Sequence, residues 1–141
     1  MRLAEPIDCE RLEYMEGVLF PDNAFNAYTL SNELKIGRCW VVERGGTIVA
    51  YLLARADGKL FDILRVGVMP DFQGRGIGTK LTEMAMTQSP ETILCVLKGN
   101  KGAIRLYRRL GFKITGEVGH ISNTPSWVMR ATSAEKRTHA R

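Results

Sequence analysis

Cysteine and histidine are scarce in this chain and widely scattered. Its three cysteines (Cys9, Cys39, Cys95) and two histidines (His120, His139) form no Cys-x-x-Cys and no histidine pair at helical spacing. That spacing argues against a structural zinc site, any other bound metal and a disulfide framework. Long hydrophobic runs are also missing, because stretches such as residues 49–54 fall far short of the roughly 20 apolar residues that span a bilayer. No membrane role is expected. The opening Met1-Arg2-Leu3-Ala4-Glu5-Pro6 carries charge where a signal peptide would begin its apolar core, so the predicted location is cytoplasmic. Charge of one sign is in modest excess: 20 Lys and Arg against 15 Asp and Glu give +5, and the tail contributes Lys136, Arg137 and Arg141 against Glu135. Such an excess does not by itself argue for nucleic acid. It suits an anionic cofactor or an acidic partner, and equally well ordinary solubility.

What is present is enough for one core. With 141 residues, 45% hydrophobic and 25% charged, residues 1–131 are predicted to form a single domain, followed by a basic, flexible tail at 132–141. Asp8 is placed to cap a helix with Leu12, Met15 and Leu19 on one face, which Pro21 stops. Asp22 and Asn23 are placed to cap a second helix, whose Ala27, Leu30 and Leu34 recur at helical spacing and which runs to about Lys35. Residues 38–43 and 47–53 are rich in β-branched and aromatic residues and flank Gly45-Gly46, a strong hairpin signal. Asp57-Gly58 offers a second turn before a strand at 60–68. A helix follows with Ile77, Leu81, Met84 and Ala85 on one face, then a strand at 92–97 and a helix at 101–110 that ends at Gly111, a residue suited to a left-handed cap. Strand, helix and strand in this order predict a parallel crossover. Cys95, inside an apolar run, reads as a buried small hydrophobe. Strands at 112–118 and 127–130 complete the pattern.

The informative stretch is Gln73-Gly74-Arg75-Gly76-Ile77-Gly78, between a strand and a helix. Glycines there let the backbone turn its N–H groups toward a ligand, and the helix dipole favours an anion, so a phosphate compound is expected. Its identity depends on spacing. The Walker pattern needs a glycine where Thr79 stands, and the dinucleotide pattern G-x-G-x-x-G fails at Thr79 or at Leu81, depending on which glycine starts it. Neither ATP nor NAD is supported.

The pattern that fits is Gln-x-x-Gly-x-Gly, and with it the chain resembles the GNAT superfamily of acyl-CoA-dependent N-acyltransferases. Asn100-x-x-Ala103-x-x-x-Tyr107-x-x-x-Gly111-Phe112 is similar to the other conserved segment of that family, at the usual distance. The resemblance implies an α/β (α+β) fold: a mixed, mostly antiparallel sheet of about six or seven strands, about four helices, and parallel strands that splay at the cofactor cleft. It implies acetyl-CoA as co-substrate, with its pantetheine against Val66, Gly67 and Val68. Backbone amides of Gly74, Arg75, Gly76, Ile77, Gly78 and Thr79 would then hold the pyrophosphate, with Gln73 and Asn100 as further cofactor contacts. One amide of residues 66–68 would act as an oxyanion donor. Asn100 also reads as a helix N-cap, a compatible role. Monomers and homodimers both occur within such a family.

The implied chemistry is direct attack of a neutral amine on the thioester. Tyr107 matches the family's donor to the leaving thiolate, and it also reads as a core aromatic beside Ile104 and Leu110. The loop spacing and N-terminal helix resemble the ribosomal-protein alanine acetyltransferases, in which a glutamate base stands where this chain has Cys95. Lysine-acetylating members place a glutamate at the position of Asp62, which makes Asp62 the leading base, ahead of Glu43 and Glu117; a surface aspartate near a turn is its other reading. Deprotonating a lysine amine of pKa about 10.4 at neutral pH takes about 4.6 kcal/mol, against about 1.1 kcal/mol for an α-amine of pKa about 7.8. A weakly specified base therefore favours a protein or peptide N-terminal α-amine. The alternatives are a small-molecule amine, aminoacyl-tRNA as in toxin-like relatives, and a non-catalytic acyl-CoA-binding module. A stripe of Lys101, Arg105 and Arg108, with Lys98 and Arg109 nearby, suits an anionic acceptor or cofactor phosphate, or is a solvated face. The acceptor itself is expected to be chosen by residues 22–35 and 119–126.

Overall fold

A computed structural model describes residues 1–119 and 125–132. Among these residues seven strands form one sheet in the order β1-β2-β3-β4-β5-β7-β6, with four α-helices. β4 (Leu60–Val68) and β5 (Glu91–Leu97) are the parallel pair, in register from Leu60 opposite Glu91 to Ile63 opposite Leu94. The expected mixed, mostly antiparallel GNAT-like sheet is therefore present. Thr132, expected in the tail, instead ends the last strand, Ser126–Thr132, while residues 133–141 of that tail and residues 120–124 of the 119–126 loop lie outside the described residues. No helix among the described residues is long and apolar enough to cross a membrane.

Contacts divide the chain into two compact units. One comprises Met1–Arg55 and Leu64–Thr82, the other Ala56–Ile63 and Glu83–Arg141.

The first unit is built from α1 (Cys9–Leu19) and α2 (Ala27–Ile36), together with β1 (Arg2–Leu3), β2 (Arg38–Arg44), most of β3 (Thr47–Asp57) and the second half of β4. Leu12, Met15 and Leu30 meet Cys39, Val41, Ile48, Tyr51 and Leu53 in its core, the partners that the apolar spacing of the two helices called for. Gly45 and Gly46, with φ of 62° and 80°, make the β2–β3 turn, whose geometry needs positive φ at both positions. The caps differ from expectation. Asp8 occupies the N-cap of α1 but spends its carboxylate on Arg2 (2.9 Å) and on the Glu5 amide (2.7 Å). The cap of α2 is Asn26, whose side chain accepts from the Thr29 amide at 2.8 Å, in place of Asp22 or Asn23.

In the second unit β5 pairs antiparallel with β7 (Ser126–Thr132), which in turn pairs with β6 (Lys113–Val118). Phe61, Ile63, Leu94, Val96, Phe112 and Met129 are buried there. Asn100 caps α4 (Lys101–Arg109) by accepting from the Ala103 amide at 3.2 Å, and Gly111 follows the helix at φ 105°, as its left-handed cap reading required.

Candidate active site

In the first unit β4 runs out through Val66, Gly67 and Val68 into a 3-10 turn at Pro70–Phe72 and then the glycine turn. Gly67 is buried, and a Cβ added to it would sit 2.7 Å from the Tyr51 ring and 2.9 Å from Leu19 Cδ1. This strand position thus has to be glycine on packing grounds. Gln73 turns its side-chain amide back to donate to the Val68 carbonyl at 2.9 Å, which closes the loop from the strand. Gly74 and Gly76 have φ of 79° and 81° with open space where a Cβ would stand, so backbone conformation selects glycine at both. The guanidinium of Arg75 lies over the Phe72 ring, 5.1 Å from its centroid.

Helix α3 (Ile77–Met86) starts immediately after Gly76, and the Lys80 amide donates to the Gly76 carbonyl at 3.0 Å. The first amides of such a helix, at Ile77, Gly78 and Thr79, have no earlier carbonyl within the helix to reach. They form a donor set aimed along the helix axis at its positive end. Gly78 is different from its two neighbours: its Cβ would make ordinary contact with Val68 at 3.6 Å, and its φ is not positive.

In the second unit, Tyr107 is half-buried on α4, edge-on to Phe112 with ring centroids 5.7 Å apart. Burial raises its phenol above the ordinary value, so the group holds its proton more firmly. Asp62 lies within β4, half-buried and opposite Ile93, well inside the strand. Cys95 departs from expectation and is exposed. β5 alternates, with Thr92, Leu94 and Val96 buried and Cys95 and Leu97 on the other face, so an apolar run proves to be a strand with one covered side. Partial burial, and after it the Asp62 carboxylate, raise the Cys95 thiol, which places Asp62 and Cys95 in the same electrostatic neighbourhood. Of the other carboxylates considered as bases, Glu43 pairs with Arg2 at 2.6 Å and Glu117 with Lys98, and Asp62 too has a partner of its own. Lys98 also lies over the Trp127 ring at 4.1 Å, which removes it from the basic stripe, whereas Lys101, Arg105, Arg108 and Arg109 are exposed.

A buried carboxylate on α1 was not anticipated from the sequence. Glu16, fully buried on α1, receives the Tyr51 hydroxyl, Arg65 Nε at 3.1 Å and Nη2 at 3.0 Å, and the Phe25 amide at 2.9 Å. In the sequence Glu16 looks like one more charge on an amphipathic helix, and its side-chain partners Tyr51 and Arg65 lie 35 and 49 positions away. The one available signal was a carboxylate sharing the helical face of Leu12, Met15 and Leu19.

A strand leading through positive-φ glycines to a helix N-terminus, followed by a parallel strand and an Asn-capped helix, defines an acyltransferase of the GNAT type. Residues 6–112 match the Acetyltransferase (GNAT) family, and the chain belongs to it. It is 29% identical to the N-alpha-acetyltransferase RimI of Mycobacterium tuberculosis, an alignment covering 91% of this chain and 89% of the relative. Among solved structures, the ribosomal-protein-S18-alanine N-acetyltransferase from Escherichia coli superposes with a TM-score of 0.82 at 18% identity, covering 92% of this chain and 90% of that one. Arabidopsis thaliana Naa50 in complex with the bisubstrate analogue CoA-Ac-MVNAL gives a TM-score of 0.80 at 21% identity, covering 92% of this chain and 95% of that one. Both superpositions establish the fold.

Proposed function

We propose that this chain is a cytoplasmic, acetyl-CoA-dependent N-acetyltransferase that modifies the α-amine of a protein or peptide N-terminus by direct attack in a ternary complex. The observation that carries the reading is the alignment of nine-tenths of the chain with an N-alpha-acetyltransferase. The turn residues suit a CoA pyrophosphate on their own evidence. Gly74 and Gly76 sit at positive φ with open space where a Cβ would stand, and the first α3 amides that follow lack intrahelical acceptors.

Acetyl-CoA, when bound, supplies the activated thioester. Val66, Gly67 and Val68 would hold its pantetheine arm by strand-like hydrogen bonds, and one of their amides would serve as an oxyanion donor. Amides of residues 74–79 would hold the pyrophosphate, with Arg75 adding charge at the rim; Gln73 keeps the turn closed, and Asn100, which caps α4, would make a further contact. Asp62 accepts the proton that the amine loses as its nitrogen bonds to the carbonyl carbon. Tyr107 donates a hydrogen bond to the sulfur as the C–S bond breaks, a task suited to a phenol that keeps its proton.

The test is a panel of acceptors: peptides with free N-termini, N-terminally blocked lysine peptides, polyamines, aminoglycosides and aminoacyl-tRNA. Free N-termini are expected to be acetylated at least tenfold faster than internal lysines at neutral pH, and equal rates would overturn the assignment. The exposed cations of α4, a helix with no acidic residue, favour aminoacyl-tRNA as the second reading. Activity on tRNA that exceeds activity on peptides and falls steeply with added salt would select it.

A further inference from the structure

The buried carboxylate on α1 has a consequence for the acceptor side of the reaction. Arg65 immediately precedes Val66 in β4, and its side chain is only 11% exposed. It forks onto both oxygens of Glu16, donates to the Asn23 carbonyl at 2.9 Å, and lies between the rings of Phe20 and Phe25 at 4.2 and 4.3 Å from their centroids. Glu16 also accepts the Phe25 amide, so both ends of the α1–α2 connection are tied to a single carboxylate and its guanidinium partner. The connection has no regular hydrogen-bonding ladder of its own. Its outer residues Pro21, Asp22, Asn23 and Ala24 are exposed, and its position is fixed by the ties to Glu16 and Arg65, by the Asn23 amide on the Phe20 carbonyl at 3.1 Å, and by the Ala27 amide on Glu13 at 2.6 Å. Two residues further along the same strand, Leu19 and Tyr51 press against Gly67.

We propose that Arg65 is a positioning residue for the acceptor: gripped by Glu16, it holds residues 20–26 over the part of β4 that carries Val66, Gly67 and Val68, and this segment forms a fixed wall of the amine's binding site. The inference rests on the N-terminal acetyltransferase reading and adds the group that orders the acceptor side. A planar guanidinium suits the position because it serves a carboxylate, a carbonyl and two ring faces together, which a lysine ammonium cannot do.

The experiment compares wild type with Arg65→Gln and Arg65→Lys. Amide hydrogen exchange is expected to quicken at least tenfold in residues 20–26 of Arg65→Gln, with β2 and β3 unchanged. KM for an N-terminal peptide is expected to rise about tenfold, with kcat within threefold and the acetyl-CoA dissociation constant within twofold. Arg65→Lys is expected to be intermediate in both readouts. Unchanged exchange in 20–26, or faster exchange with an unmoved peptide KM, would overturn the proposal, as would failure of both variants to fold, which would make Arg65 a determinant of folding alone. If wild type acetylates no peptide N-terminus, the functional assignment fails while the exchange arm still reports on the tie.

Discussion

Tyr107 is the side chain on which the proposed chemistry is most exposed to refutation. Tyr107→Phe keeps the edge-on contact with Phe112 and removes only the hydroxyl, so acetyl-CoA binding and thermal stability are expected to stay close to wild type. Turnover should fall by about 100-fold, the low end for a positioned proton donor, and steady-state kinetics with a measured acetyl-CoA affinity checks both halves. The pH dependence follows from two groups. The reactive amine gains free base as pH rises through about 7.8, and the Tyr107 phenol, raised by burial, keeps its proton beyond its ordinary range. The kcat/KM profile should therefore rise from about pH 6 to about 8.5 and stay level to about pH 10; an alkaline fall before that point that vanishes in Tyr107→Phe would show the phenol ionising too early for this role. Gly67 makes a separate prediction about packing. Gly67→Ala drives a methyl into the Tyr51 ring and Leu19, and should destabilise the protein by about 1–3 kcal/mol, read as a lower urea midpoint. The resemblance put Gly67 in the cofactor strand without a reason for glycine there, because the reason is a ring contributed by β3.

Among the elements, those with strong local signals were legible in the amino-acid sequence alone. The hairpin glycines, the period of α1 and α2, the β4 limits and the Gly111 cap all follow from residues close in the chain. Insertion of β7 between β5 and β6, the exposure of Cys95 and the tie between Glu16 and Arg65 were not legible, since each depends on how elements far apart in the chain pack together. The turn before α3 shows how far local signals carry. Three glycines looked equivalent in the motif, yet Gly74 and Gly76 sit at positive φ and Gly78 does not. Gly76→Ala should destabilise by about 1 kcal/mol through backbone strain. Gly78→Ala, in the first turn of a helix with room for a methyl, should be neutral or stabilise by up to about 1 kcal/mol. Both are expected to weaken acetyl-CoA binding, because a methyl at either position crowds an anion on the amides. Chemical denaturation separates the two signs, and if Gly78→Ala binds acetyl-CoA as wild type does, the pyrophosphate does not approach that amide.

For the molecule as a whole, the net charge of +5 turns out to have little to do with the proposed co-substrate site. That proposed site consists mainly of backbone amides with Arg75 at its rim, while Lys101, Arg105, Arg108 and Arg109 on α4 suit an anionic acceptor or a solvated face. A ligand that binds only the folded chain raises its stability by about 2.7 kcal/mol at 100 times its dissociation constant. For a protein of this length that corresponds to a rise of about 8 °C in Tm. Acetyl-CoA and CoA are both expected to produce such a rise, since they share the pantetheine and pyrophosphate that residues 66–79 would hold. ATP and NAD are expected to produce none, because the glycine spacing fits neither the Walker nor the dinucleotide pattern. A thermal scan with the four ligands at matched concentration decides the matter: equal shifts for all four would reduce the turn to a generic anion site, and no shift with acetyl-CoA would remove the basis for every role assigned to residues 66–79.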